Sequence, residues 1–200
     1  MTTTNVLDKT IEEIRKPTYP IDSSFIKRWS TRAFSEKPVP DEILYSVFEA
    51  ARWAASARNI QPWRFVIARN EEDKEKFHSF IFEANNVWCK KAPVIALVLS
   101  KTEEDDRPIS HNQFEAGMAT ANLLFQATQH GLITHFMSGI YPEKAREVLE
   151  IPSQYEILGV IAIGYQGIKD DLPEALQARE IPNSRKDLSE ILFEGNFNEK

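Results

Sequence analysis

The chain has 200 residues, enough for one ordinary domain with a sizeable apolar interior. Hydrophobic residues make up 42% and charged residues 27%, the usage of a globular chain and not of a disordered one. A formal net charge of -6 argues against nucleic acid as a partner, because neutralising phosphates takes a surplus of Lys and Arg.

In chain order, residues 7 to 16 read as a short amphipathic helix that ends before Pro17. Asp22 or Ser23 can cap a second short helix running into Arg28. Pro40-Asp41-Glu42 makes a good first turn, and Ile43, Leu44, Val47, Phe48, Ala51, Ala54 and Ala55 recur at helical spacing behind it. That helix breaks at Arg58-Asn59-Ile60-Gln61-Pro62, and Phe65 to Ala68 reads as a strand. A helix is expected over Asp73 to Ala84, and a fully buried strand over Val94 to Leu99. Residues 101 to 111, KTEEDDRPISH, form a charged loop. Gln113 to His130 is the longest helix; its small residues Ala116, Gly117, Ala119 and Ala121 suit close packing, and Gly131 stops it. Ile133 to Met137 and Ile157 to Tyr165 read as strands around a helix from Pro142 to Glu150. From Asp170 the chain is polar until Ile191-Leu192-Phe193. No repeat or linker divides it, so a single domain over 1–200 is expected, an α+β sandwich with helices around a mixed, mainly antiparallel sheet.

Val94 to Leu99, the longest apolar run, is too short to cross a bilayer, so no membrane partner is expected. The stretch MTTTNVLDKTIEEIRK lacks a signal-peptide core, and one cysteine, Cys89, suits a reducing compartment; the expected location is cytoplasmic. The 7 glycines form neither GxGxxG nor a phosphate loop. His78, His111, His130 and His135 lack metal-ligand spacing and read as surface or core residues, and no metal site is expected. Cys89 beside Trp88 and two lysines is either a low-pKa thiol or, the plainer alternative, a structural cysteine. EEDD at 103 to 106 reads as a solvated loop.

Two stretches carry chemistry. In RWSTRAF, Arg28 and Arg32 stand four apart with Ser30 and Thr31 between them. Guanidinium forks with neutral hydroxyls suit a dianionic phosphate; the plain alternative is a solvated loop whose arginines pair with Glu36 or Asp41. In ASARNIQPW, Asn59 and Gln61 alternate on a turn stiffened by Pro62, and side-chain amides offer the donor and acceptor that a pyrimidine edge complements. A turn in which Asn merely tolerates the backbone is the alternative.

Together these stretches resemble the FMN-dependent nitroreductase family: R-x-S-x-R-x-F (Arg28, Ser30, Arg32, Phe34), KPVPDEIL, then S-x-x-N-x-Q-P-W (Ser56, Asn59, Gln61, Pro62, Trp63). NLLFQATQHGL (122 to 132), IAIGY (161 to 165) and SRKDLSEI (184 to 191) extend the likeness over nearly the whole chain from about residue 24. The resemblance implies an intertwined homodimer with one FMN at each interface, touched by both subunits. It makes residues 1–20 an N-terminal extension and 170–200 a C-terminal arm contacting the partner. By the same likeness Arg28 and Ser30 bind the FMN phosphate and ribityl end, with Trp29 among the contacts. Arg32 lies near phosphate or pyrimidine edge, Asn59 bonds the pyrimidine with Gln61 beside it, Ser138 and Gly139 lie near N5, and Arg185 is a late phosphate ligand.

Departures from the family pattern are Trp29, where many members carry a basic residue or His, Ala55 for a common proline, and Asn183 where Lys or Arg is usual. The implied reaction passes hydride from NADH or NADPH through flavin N5 to a small flat acceptor such as a nitroaromatic or quinone, with no catalytic side chain required. Phe82, Trp88, Phe114 and Phe125 are candidate acceptor-pocket walls, and core packing is expected for at least half of them. The alternatives are a flavin-storing homodimer without turnover, or the same fold serving dehalogenation, enone reduction or heterocycle oxidation.

Overall fold

The longest strand, β7 (Tyr155–Gln166), is the spine of a five-stranded sheet. The computed structural model describes residues 6–197, so the expectations for residues 1–5 of the extension and 198–200 of the arm lie outside the described residues. In chain order the elements are α1 (Val6–Ile14), α2 (Ser23–Lys27), β1 (Phe34–Ser35), α3 (Asp41–Arg52), β2 (Trp63–Ala68), α4 (Glu71–His78), α5 (Glu83–Cys89) and β3 (Val94–Lys101). Then come β4 (Glu103–Glu104), β5 (Arg107–Pro108), α6 (Asn112–Gln129), β6 (Ile133–Met137), α7 (Pro142–Val148), β7 and α8 (Glu174–Gln177). Strand β7 pairs with β3 from Val94↔Ile163 to Lys101↔Tyr155, with β6 from Ile133↔Gly164 to Met137↔Val160, and with β1 at Phe34↔Gln166. Strand β2 lies outside β3. Every pairing among the described residues is antiparallel, the limiting case of the mainly antiparallel sheet expected.

Strand β3 shows why its sequence is apolar without alternation. Ile95, Leu97 and Leu99 face a core that includes Phe77, Phe80 and Trp88; Val94, Ala96 and Val98 face one built from Leu44, Val47, Ala119 and Leu123. With a layer on each face, alternate residues are buried in opposite directions and no polar face remains. Helices α3 and α6 form the second layer, and Gly131 in the left-handed region (φ 71°) ends α6. Gly117 has no packing role: a Cβ there would meet nothing within 4 Å, and Ala116 and Ala119 make the close contact.

Two expectations need correction. The helix expected over Asp73 to Ala84 is two helices, α4 and α5. Between them the backbone bonds a distant segment: Ile81 bridges Ile140, the Phe82 N–H donates to the Gly139 carbonyl (3.0 Å), and the Tyr141 N–H donates to Phe80 (2.7 Å). The charged loop at 101 to 111 contains a small hairpin, β4–β5, turning at Asp105 and Asp106, both at positive φ. Among the described residues no helix is long and apolar enough to cross a membrane.

Candidate functional site

Residues 28–33 connect α2 to β1, and their path is set by bonds to residues far along the chain. Asp22 caps α2 by accepting from Ser24 N–H (2.8 Å), and Arg28 N–H closes it on the Ser24 carbonyl (2.9 Å). Beyond that point a buried carboxylate organises the loop. Glu180 Oε1 accepts from the Thr31 hydroxyl, from Arg32 N–H (2.8 Å) and from Ala33 N–H (3.0 Å), while Glu180 Oε2 lies 3.8 Å from the Arg32 guanidinium. The loop is therefore rigid, and Thr31 is fully buried. This corrects the expectation that both hydroxyls face a phosphate: Ser30 is exposed, but Thr31 is turned inward to Glu180.

Against this loop lies a cleft of about 290 Å³. Arg28, Trp29, Ser30 and Arg32 line it from one segment, Arg179, Ile181, Asn183 and Arg185 from another, and His135 of β6 joins them. Four guanidinium groups share the space with one carboxylate, that of Glu180. Arg28 and Arg179 have no ion pair or side-chain hydrogen bond among the described residues, and Arg185 reaches only Asn183 Oδ1 (3.0 Å) and the Ser184 carbonyl (2.9 Å). Burial, then the nearby Arg185, holds Arg28 below the usual arginine range. Burial, then Arg179, does the same to Arg32, with Glu180 acting in the opposite direction. Half-buried Arg28 and Arg32, each with a further cation beside it, call for an anion in the space between. The plain alternative fails on its partners, because Asp41 pairs with Arg69 and Arg32 faces Glu180.

His135 belongs to this cleft, not merely to surface or core. Its Nδ1 lies 3.0 Å from the Thr31 carbonyl, which can only accept, so Nδ1 carries the hydrogen and Nε2 the lone pair. Burial is the main cause that pushes its pKa down to about 4, with Arg32 and Arg28 adding to it; the ring is neutral at pH 7.

The second motif is also pinned by a buried carboxylate. Glu115, 2% exposed, accepts from the Ser56 hydroxyl (2.6 Å) and from Ala57 N–H (3.0 Å), and Ser56 Oγ in turn accepts from Gln61 N–H (2.8 Å). Arg58, Asn59 and Gln61 all have φ between 53° and 56°, left-handed positions broken by Ile60 (φ -68°) and held by the surroundings. Gln61 Nε2 donates to Asn59 Oδ1 (3.0 Å), which leaves Asn59 Nδ2 as a donor and Gln61 Oε1 as an acceptor without a hydrogen-bond partner among the described residues.

One chain does not bring Asn59 and Gln61 to the arginine cleft. Lys101 N–H bonds the Pro62 carbonyl, which ties this turn to the Tyr155 end of β7. His135 pairs with Ala162, so at ~3.3 Å per residue the two places are roughly 20 Å apart along the strand. Ser138 and Gly139 follow β6 and also lie outside the cleft. Gly139 is glycine for a packing reason: a Cβ there would sit 2.6 Å from Asn85 Nδ2. Arg28, Trp29, Ser30, Arg32 and Arg185 are gathered. Arg179, Glu180 and His135 are additions that no motif or spacing in the sequence marked as part of the site.

Of the other candidates, Cys89, Trp88 and Phe125 are packing residues, while Phe82 and Phe114 keep exposed rings. Burial pushes the Cys89 thiol up to about 12, so it is a structural cysteine. Trp88 is buried between Phe34 and His135, and Phe125 packs on Phe25. Phe82 packs on Tyr141, and Phe114 is 72% exposed. Among the described residues no cluster of His, Cys, Asp or Glu could hold a metal.

The family model for the nitroreductase family matches residues 26–165, which covers both motifs and the sheet up to Tyr165 of β7. The chain belongs to the nitroreductase family. This nitroreductase-family chain is 28% identical over 186 residues to a protein named NADH dehydrogenase from Thermus thermophilus, a match covering 76% of this chain and 90% of that one. It is 24% identical over 178 residues to iodotyrosine deiodinase 1 of Rattus norvegicus, covering 74% and 62% of the two chains. A crystal structure described as an oxidoreductase containing FMN superposes with a TM-score of 0.90 at 37% identity, over 99% of this chain and 100% of the other.

Proposed function

We propose that the protein is an FMN-dependent oxidoreductase that takes electrons from NADH or NADPH and reduces a small flat acceptor such as a nitroaromatic or quinone. Flavin oxidoreductase, the general class, follows from the family and from relatives named for FMN and NADH. The observation that carries the reading is the cleft lined by four arginines, of which only Arg32 has a carboxylate partner, Glu180, among the described residues. A dianionic phosphate fits that donor set: Arg28 and Arg179 supply guanidinium groups without a partner among the described residues, Arg185 one bonded only to neutral acceptors, and Ser30 an exposed hydroxyl. Trp29 closes the cleft with its apolar ring. Arg32, already oriented by Glu180, offers positive charge to the phosphate or to the pyrimidine edge.

The remaining contacts require a second copy of the chain. Asn59 and Gln61 present their amides at the far end of the sheet from the arginines, so in a homodimer they serve the partner's cleft. Ile181, Ile191, Leu192 and Phe197 are exposed along the C-terminal segment, with Leu192 at 70%, an apolar surface of the kind that a subunit arm buries. Ser138 and Gly139 are the proposed contacts of the reactive edge of the ring. When bound, the flavin supplies two-electron transfer through N5, and the chain supplies position and charge. No side chain of the cleft need act as acid or base, and His135, neutral with its Nδ1–H on Thr31, is a fixed polar wall. The inferred location is the cytoplasm, where a single buried thiol is at home.

The test is optical. Purified protein is expected to carry yellow flavin that NADH or NADPH bleaches without oxygen, and a nitroaromatic or quinone then restores. Restoration only by a halogenated phenol or an enone would move the acceptor within the family. A yellow protein that neither nicotinamide bleaches would favour flavin storage, and a colourless one that takes up no FMN would remove both readings.

A further inference from the structure

We infer that Arg15 is a positioning residue for the arginine cleft: from the end of the N-terminal helix it ties the cleft's two lining segments together, so anion affinity depends on a side chain outside the cleft. Its guanidinium donates from Nη1 to the Ile26 carbonyl (2.8 Å) and the Arg28 carbonyl (2.6 Å), and from Nε to the Asn183 carbonyl (2.9 Å). Ile26 and Arg28 end α2, where helix carbonyls lack partners within the helix. Asn183 stands two residues before Arg185. One planar group therefore sets the spacing between Arg28 and Arg185, which approach from segments more than a hundred residues apart in sequence. Both Arg15 and Asn183 lie beyond residues 26–165, the span that matches the family.

The electrostatics point the same way. Arg15 is 8% exposed, and among the described residues its bonds go to carbonyl dipoles and to no carboxylate. Burial, then Arg185, then Arg28, lowers its pKa to about 10. A buried cation placed beside two others is an expensive way to dock a helix, since a neutral donor would serve. It is a good way to preset a cavity for an anion, because the three charges then share one counter-ion. The lining residues of the cleft do not include Arg15, so it acts through Arg28 and Arg185 and not by contact.

The inference rests on the phosphate reading of the cleft, and the test separates the two. FMN and riboflavin affinities are measured by flavin fluorescence for the full chain, for Arg15→Met, for Arg15→Lys, and for Arg28→Ala as the control. Arg15→Met is expected to lose about tenfold or more in FMN affinity while riboflavin, which lacks the phosphate, changes little. Arg15→Lys keeps the charge but cannot span three carbonyls, so it loses FMN affinity by a smaller factor. If the methionine variant fails to fold, the lysine variant decides. FMN affinity at the parental level, or equal losses for FMN and riboflavin, would overturn the positioning role and leave Arg15 a helix anchor. An Arg28→Ala variant that holds FMN as tightly as the parent would instead overturn the phosphate reading itself.

Discussion

The two motifs that carry the family likeness are built alike and charged differently. Each is held by one buried glutamate that accepts from a hydroxyl and from backbone N–H groups, Glu180 for residues 31–33 and Glu115 for residues 56–57. Around Glu180 the arginines outnumber the carboxylates four to one. Around the second turn the neutral amides of Asn59 and Gln61 stand with two exposed arginines, Arg58 and Arg64, the latter bonded to the Gln61 backbone carbonyl. The same scaffolding device thus presents a charge-selective end and a shape-and-hydrogen-bond end. A ligand carrying both a phosphate and a heterocycle would use both ends, and one chain holds them roughly 20 Å apart along the sheet, which is why the proposed flavin site draws on two copies.

Breaking the scaffold should separate the two ends most clearly. Glu180→Ala leaves three donors without their acceptor in a buried place and is expected to cost about 3 kcal/mol, read as a lowered urea midpoint. It should weaken FMN more than riboflavin. Glu115→Ala, with two donors released, is expected to cost about 2 kcal/mol and to weaken both flavins alike, since it disturbs the ring end. Equal flavin profiles for the two variants would erase the distinction drawn between the motifs.

Removing single contacts comes next. Arg28→Ala is expected to lower FMN affinity by about 2 kcal/mol, roughly thirtyfold, with the fold intact by circular dichroism. Asn59→Ala should cost about 1 kcal/mol, roughly fivefold, for FMN and riboflavin alike, measured by the same titration. A phosphate-dependent loss at Asn59 would place that residue at the wrong end.

The smallest effect is in pH. The His135 ring is held near pKa 4 against an ordinary value of 6.5, so between those values the unfolded chain binds a proton that the folded one refuses. Its contribution to stability is therefore complete above about pH 6.5 and declines as pH falls towards 4. Urea midpoints of His135→Gln across that range should decline less steeply than those of the parent; parallel curves would contradict the assignment.

The sheet and the main helices were legible because each depends on neighbours close in sequence or on a layer that leaves a periodic trace. The helix behind Pro40 shows its period directly. Val94 to Leu99 is recognisable as buried on both faces because β3 receives a core on each side. The break between α4 and α5 was not legible, since it arises from Ile81 and Phe82 bonding residues almost sixty positions later. Arg28, Arg32 and Arg185 could be named from their motifs, and the cleft gathers them. Glu180, His135 and the inward turn of Thr31 could not, because a single buried carboxylate or imidazole has no period and no spacing. The folded path of residues 172–185 back onto residues 28–33 brings in Glu180, and the placement of β6 beside that loop brings in His135.

The phosphate cleft is tested most directly by the unaltered protein, with its flavin removed and then titrated separately with FMN and riboflavin. The arginine arrangement predicts FMN binding at least about a hundredfold tighter, the gap narrowing as salt rises. Equal affinities for the two flavins would contradict it.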